Sequence, residues 1–182
     1  MISTATTSTQ VPANDAATGP RTLDDLAALD VAALRALYEA GRVPALTTLT
    51  GTPRCRMLAV RGLDGGPVAT GLRRLAAASF FPWAGKAFSA DSADAGSGIN
   101  RVRLAGERRW FPFATRIEAS AIDARPCILL DYDQPENPAF IRAIRDELRE
   151  VAPGLFLGPA MLKTGRKPAL LLFFACHFAP VN

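Results

Sequence analysis

The hydrophobic pattern changes its period once along the chain. From Thr22 onward the apolar positions recur at helical spacing. Thr22 followed by Asp25 resembles a capping box, with Asp in the place of Glu. Asp30 opens a second set, Val31, Leu34, Leu37 and Tyr38, and Gly41 stops it. Two short helices are predicted, over 23–29 and 31–40, each with an apolar stripe that must pack on something.

After residue 50 the period falls towards two. Arg54-Cys55-Arg56-Met57 alternates and runs into Leu58-Ala59-Val60, a half-buried strand behind the Gly51-Thr52-Pro53 turn. Gly62 to Pro67 reads as a loop. Val68 to Phe81 reads as a helix with Leu72, Leu75 and Ala76 on one side, ended by Pro82. Short strands follow at 86–88, 99–104, 111–120 and 127–132. A polar Gly/Ser-rich loop at 91–98 and turns at Ala105-Gly106-Glu107 and Asp123-Ala124-Arg125-Pro126 separate them.

Asn137 as cap, Pro138 in the first turn, and Ile141, Ile144, Leu148 and Val151 at spacings of three, four and three predict an amphipathic helix before the last hairpin. Its opposite side, Arg142, Arg145, Asp146, Glu147, Arg149 and Glu150, then reads as a solvated face, with Arg142 and Asp146 as an i,i+4 pair. The segments 155–163 and 169–178 form the final hairpin. Leu170 to Phe174 is apolar on both faces, so this strand is covered on both sides.

These elements sum to seven or eight strands joined mostly by short turns. Short turns favour antiparallel pairing, and the regular strand–helix alternation of a doubly wound sheet is missing. The expected class is mainly β with accessory α: an antiparallel sheet curled into a β-barrel, which removes exposed edges. One domain over 22–182 is expected, behind a disordered tail over 1–21 that is rich in Ser, Thr, Ala and Pro.

Composition narrows the partners. The chain has 182 residues, 49% hydrophobic and 21% charged, which suits a globular domain and excludes a disordered chain. No run of 18 apolar residues exists, so no transmembrane helix is predicted. A balance of 21 Lys+Arg against 17 Asp+Glu is spread along the chain without a basic stripe, and nucleic acid is not an expected partner. The N-terminus lacks a basic stretch leading into an apolar core, so a cytoplasmic location is expected. Cys55, Cys127 and Cys176 are widely spaced and make no CxxC, which excludes a disulfide framework or zinc site and leaves small buried hydrophobes.

Three segments carry a resemblance. They are Leu49-Thr50-Gly51-Thr52-Pro53-Arg54-Cys55-Arg56-Met57, Phe81-Pro82-Trp83-Ala84-Gly85-Lys86-Ala87-Phe88, and Ile144 through Gly158, which contains Asp146-Glu147-Leu148-Arg149-Glu150-Val151-Ala152-Pro153-Gly154. Together they resemble an uncharacterised bacterial family of lipocalin-like, calycin-type barrels. The first two are also loosely similar to the domain named for a Gly-x-Trp-x-Gly strand. Pro53 stands where that pattern has Trp, and Arg54-Cys55 follow where it has its second Gly. The resemblance implies a closed or nearly closed antiparallel barrel with an internal cavity. It implies no activity.

An eight-stranded barrel either fills with side chains or holds one small ligand. The expected inward set is Met57, Phe88, Val102, Leu104, Phe113, Ile117, Leu130 and several of 170–178. For a ligand-holding barrel the candidate residues are Trp83, Lys86, Phe88, Asn100, Phe113, Tyr132 and His177. Trp83 offers a ring with an N–H at a rim. Lys86 can reach a cavity mouth to meet an anionic head group. Asn100 shares the inward period of Val102 and needs partners if buried. Structural roles stand beside each of these: Trp83 as helix–sheet packing, Lys86 on the surface, Asn100 satisfying a loop backbone. Trp110 adjoins Arg108 and Arg109, where guanidinium stacking is possible.

Four functional readings follow. One is a barrel, monomeric or homodimeric, that binds a hydrophobic small molecule such as a lipid or polyketide-like compound. Another is an isomerase- or cyclase-type enzyme using Asn100, Tyr132, Asp131 and Lys86 as polar groups. A third is haem binding through His177, the single histidine; otherwise no cofactor is expected. The last is an interaction role for the N-terminal helices. Asp131 and Asp133, two residues apart, read first as partners of nearby arginines.

Overall fold

The computed structural model describes residues 19–60, 83–103 and 105–178. The loop and helix expected over 62–81, Leu104, and nearly all of the expected N-terminal tail lie outside the described residues.

Helices α1 (Leu23–Ala27) and α2 (Val31–Ala40) come first. Thr22 accepts from the Asp25 amide and Asp25 reaches back to Thr22 N–H, so the capping box forms. Asp30 caps α2 through the Ala33 amide at 2.8 Å. Eight strands follow: β1 (Arg54–Val60), β2 (Trp83–Ala90), β3 (Ala95–Arg103), β4 (Glu107–Ala119), β5 (Pro126–Asp131), β6 (Ile144–Ala152), β7 (Leu155–Leu162) and β8 (Ala169–His177). A single turn, α3 (Ala139–Arg142), stands before β6.

The strands make one antiparallel sheet in the order β1-β8-β7-β6-β5-β4-β3-β2. From β2 to β8 the chain simply meanders, and β1 returns to pair with β8. The two ends of the sheet meet where Gly51 and Phe88 exchange backbone hydrogen bonds of 2.9 and 2.8 Å. The result is a nearly closed barrel, as the alternation predicted.

Side chains sort by strand parity. Phe88, Phe113, Leu130, Tyr132, Leu148, Phe156 and Phe174 form the inner cluster. Leu155, Leu157, Phe173 and Ala175 point the other way, where Leu26, Leu34 and Tyr38 of α1 and α2 cover them. This is why β8 is apolar on both faces. Burying Leu26 and Leu34 completely stabilises this docking by about 1.5–3 kcal/mol each. The apolar stripes of α1 and α2 are therefore engaged by their own barrel, which removes the motive for an interaction role.

The amphipathic helix over 137–151 is not formed. After α3 the chain becomes β6, paired with β5 on one side and β7 on the other. Ile144 and Leu148 share a helix face at i,i+4, but the even spacing puts them on one face of a strand as well. Ladders on both sides decide for the strand, and Pro153-Gly154 turns it back at once, with Gly154 at φ +72°. Asn137 is not a helix cap either; its buried amide ties the Tyr132 and Pro112 carbonyls, each at 2.8 Å. The supposed solvated face is largely interior: Asp146, Glu147, Arg149 and Glu150 are 4%, 0%, 1% and 8% exposed. Of the expected inward set, Phe88, Val102, Phe113 and Leu130 are buried, whereas Met57 and Ile117 are 44% and 42% exposed. Both keep the inward parity, Ile117 opposite Ile128 and Met57 opposite Phe174, but neither is covered there.

Candidate functional site

Two bulges shape one end of the barrel interior. On β2, Trp83 pairs with Val102 and Gly85 with Arg101, so Ala84 is an extra residue. Gly85 takes φ +119°, which suits a residue without Cβ. Trp83 and Lys86 are three apart and would face opposite sides of a regular strand. The bulge turns both to the interior. On β4, Trp110 pairs with Asn100 and Pro112 with Ile99, leaving Phe111 as the extra residue at φ +60°. A bulky residue in that region costs of order 1–3 kcal/mol. It brings the Phe111 carbonyl to 3.4 Å from Asn100 Nδ2 and its ring to the cavity wall.

The Lys86 and Asn100 side chains leave paired positions of β2 and β3. Tyr132 follows β5 directly, and Asp146 lies on β6 across from Leu130. These four side chains converge. Lys86 Nζ donates to Asn100 Oδ1 at 3.1 Å, to Tyr132 Oη at 2.5 Å and to Asp146 Oδ2 at 2.9 Å. Tyr132 Oη donates to Asp146 Oδ2 at 3.1 Å and accepts from Asn100 Nδ2 at 3.0 Å. Trp83 Nε1 donates to Asn100 Oδ1 at 3.0 Å. The rings of Phe174, Tyr132, Phe113 and Trp83 surround the ammonium at 4.9, 5.2, 5.3 and 5.7 Å.

Burial alone would lower the Lys86 pKa. The Asp146 carboxylate and the Tyr132 oxygen outweigh it, and the ammonium is held above the ordinary lysine range. Burial and the same carboxylate push the Tyr132 phenol up, against the opposing pull of Lys86. Both groups therefore stay protonated at neutral pH.

Over this cluster opens a cavity of about 380 Å³. Its walls are mostly apolar: Trp83, Phe111, Ile144, Ala160, Leu172 and Phe174. Met57 and the 60%-exposed Phe140 stand at its rim.

The structure brings four of the expected site residues together here, Trp83, Lys86, Asn100 and Tyr132. Phe88 and Phe113 lie in the core, in edge contact with each other at 5.5 Å, and neither lines the cavity. His177 shares the outward face of Phe173 and Ala175. It borders a separate surface cleft with Arg54, Arg56, Arg101 and Arg103. Asp131 points outward as well, pairing with Arg116 at 2.9 Å and Lys163 at 3.5 Å, and Asp133 pairs with Arg142. Trp110 is 40% exposed and packs on Phe111. The residue that sequence reasoning missed is Asp146. Its signal was the alternation of Ile144, Asp146 and Leu148, hidden by the helical reading of the same stretch. Cys55 and Cys176, opposite each other on β1 and β8, are free thiols with sulfurs 3.0 Å apart.

No family profile and no curated protein matches the chain. A solved structure, that of a protein from Thermomonospora curvata, is similar with a TM-score of 0.52 and 18% identity, over 83% of this chain and 89% of that one. The class defined by fold and similarity is thus a nearly closed, eight-stranded antiparallel barrel. Among the described residues, no helix is long and apolar enough to cross a membrane, and no cluster of His, Cys, Asp and Glu has the makings of a metal site.

Proposed function

We propose that the barrel is a lipocalin-like container that holds one hydrophobic small molecule, lipid or polyketide-like in character. The observation that carries this reading is the cavity of about 380 Å³, apolar over most of its wall and polar at one cluster. Small-molecule sites have this make-up: hydrophobic lining for affinity and a few placed polar groups for orientation. Trp83, Phe111, Leu172 and Phe174 form the apolar bed. Lys86, Asn100, Tyr132 and Asp146 orient the guest. Phe88 and Phe113 support the wall from behind, and His177 takes no part.

The isomerase-type reading loses ground on the same cluster. Asp131 faces away, and Lys86 and Tyr132 are held protonated, so neither serves as a base near neutral pH. Haem ligation inside the barrel lacks its ligand, because His177 is on the outward face.

The test is titration with a neutral apolar dye such as Nile red, together with solvent extraction and mass spectrometry of the purified protein. Saturable dye binding is expected. It is lost in Ala160→Phe, which fills the cavity from β7, while the far-ultraviolet dichroism is unchanged. A wild-type protein that binds no apolar dye and releases no apolar molecule overturns the reading.

A further inference from the structure

The hydrogen-bonding capacity of the cluster can be counted atom by atom. Lys86 has three donors, and Asn100, Tyr132 and Asp146 accept all of them. Asn100 Oδ1 accepts from both Trp83 and Lys86, and its Nδ2 donates to Tyr132 and to the Phe111 carbonyl. Tyr132 Oη donates once, to Asp146, and accepts from Lys86 and Asn100. Asp146 Oδ2 takes two hydrogen bonds. One valence is open: Asp146 Oδ1 is buried and has no partner. It belongs to a side chain that lines the cavity and is only 6% exposed. A buried carboxylate oxygen without a donor is costly, of the order of 1–3 kcal/mol or more.

The charges are also matched. Lys86 and Asp146 form a buried pair at 2.9 Å, so the cluster offers neither a free cation nor a free anion. A carboxylate guest would meet Asp146 and find no unengaged ammonium. An ammonium guest would meet Lys86. A ketone or ether offers only acceptors, where the cluster lacks a donor.

We infer that the guest is a neutral, largely apolar molecule ending in a hydroxyl or N–H group, which donates to Asp146 Oδ1 while its body lies against Trp83, Phe111 and Phe174. This inference rests on the container reading and narrows its ligand class. It also reverses the expectation that Lys86 meets an anionic head group: the ammonium is an internal counter-ion that holds Asp146 charged and oriented as the acceptor.

The experiment is displacement of Nile red by three molecules of one medium-length hydrocarbon skeleton: the primary alcohol, its methyl ether and the carboxylic acid. The alcohol is expected to bind about tenfold more tightly than the ether, the worth of one charge-assisted hydrogen bond in a dry site. The acid at neutral pH is expected to bind more weakly than the alcohol. In Asp146→Asn the amide oxygen keeps the Lys86 and Tyr132 hydrogen bonds and an N–H donor replaces the open acceptor, so the alcohol's advantage over the ether is expected to vanish. The wild-type series stands by itself if that variant fails to fold. Equal binding of alcohol and ether, as a water held permanently on Oδ1 would give, overturns the inference and leaves the container intact. So does tightest binding by the acid. Failure of all three to displace bound dye also overturns the inference, whereas a protein that binds no dye and releases no apolar molecule overturns the container and the inference with it.

Discussion

Lys86 keeps a full charge at a position only 3% exposed, and its partner Asp146 is nearly as buried. Such pairs are held against a desolvation cost, so removing one member is worse than removing both. Lys86→Met is expected to destabilise by about 3–5 kcal/mol, whereas Lys86→Met combined with Asp146→Leu recovers most of that loss; urea midpoints of the three proteins check it. Because the folded pKa of Lys86 lies above its ordinary 10.5, the pair's contribution is complete below about pH 10.5 and fades as pH climbs further. A stability profile that falls at alkaline pH, and falls less steeply in the double variant, where the raised Tyr132 phenol still titrates, is the expected result. At this scale the sequence was half legible. Asn100 could be seen on an inward period and Trp83 and Lys86 near a short strand. Asp146 could not, because charge on an amphipathic pattern reads as solvent-facing until its partners on other strands are known.

The decisive element is β6, whose two faces carry different polar networks. Inward it gives Asp146 to the cavity. Outward, Glu147 accepts from Tyr38, Ser120, the Ala121 amide and Arg145, while Arg149 chelates Asp123 through two 2.7 Å bonds and lies 4.5 Å from the Tyr38 ring centroid. Tyr38→Phe leaves one fewer donor on a fully buried carboxylate and is expected to cost about 1–3 kcal/mol, read from chemical denaturation. The Arg149 guanidinium draws the Asp123 pKa below its ordinary value, so that tie holds above the usual carboxylate range and is lost as pH falls through the lowered value. The neighbouring strand is just as constrained. A Cβ on Gly158 would sit 1.6 Å from the Glu147 carbonyl oxygen, so Gly158→Ala must part β6 from β7. A loss of about 3 kcal/mol or more, or no soluble protein, is expected. Turns and most strands were legible because Gly, Pro and alternation act locally. β6 was not, because ladders to β5 and β7, which no local pattern encodes, override its helical spacing.

As a whole the molecule is a ring with one weak join. Every neighbouring pair from β2 round to β1 shares a ladder, but among the described residues no ladder joins β1 to β2; Gly51, just ahead of β1, bridges to Phe88, and Cys55 packs against the backbone at Gly85. Hydrogen exchange is expected to follow: slowest at β5–β7, under α2 and inside two ladders, and faster at β1 and β2. Exchange at β1 and β2 as slow as at β7 would mean the join is as firm as the rest.

The matched ammonium and carboxylate at the bottom of the chamber have a consequence for how it fills. Opposite charges less than 3 Å apart cast almost no field beyond their own neighbourhood, and salt has little to screen. Uptake will then follow a visitor's reluctance to stay in water, and not its pull towards a distant pole. Occupancy measured in dilute buffer and in molar sodium chloride should differ only by salting-out of the visitor itself.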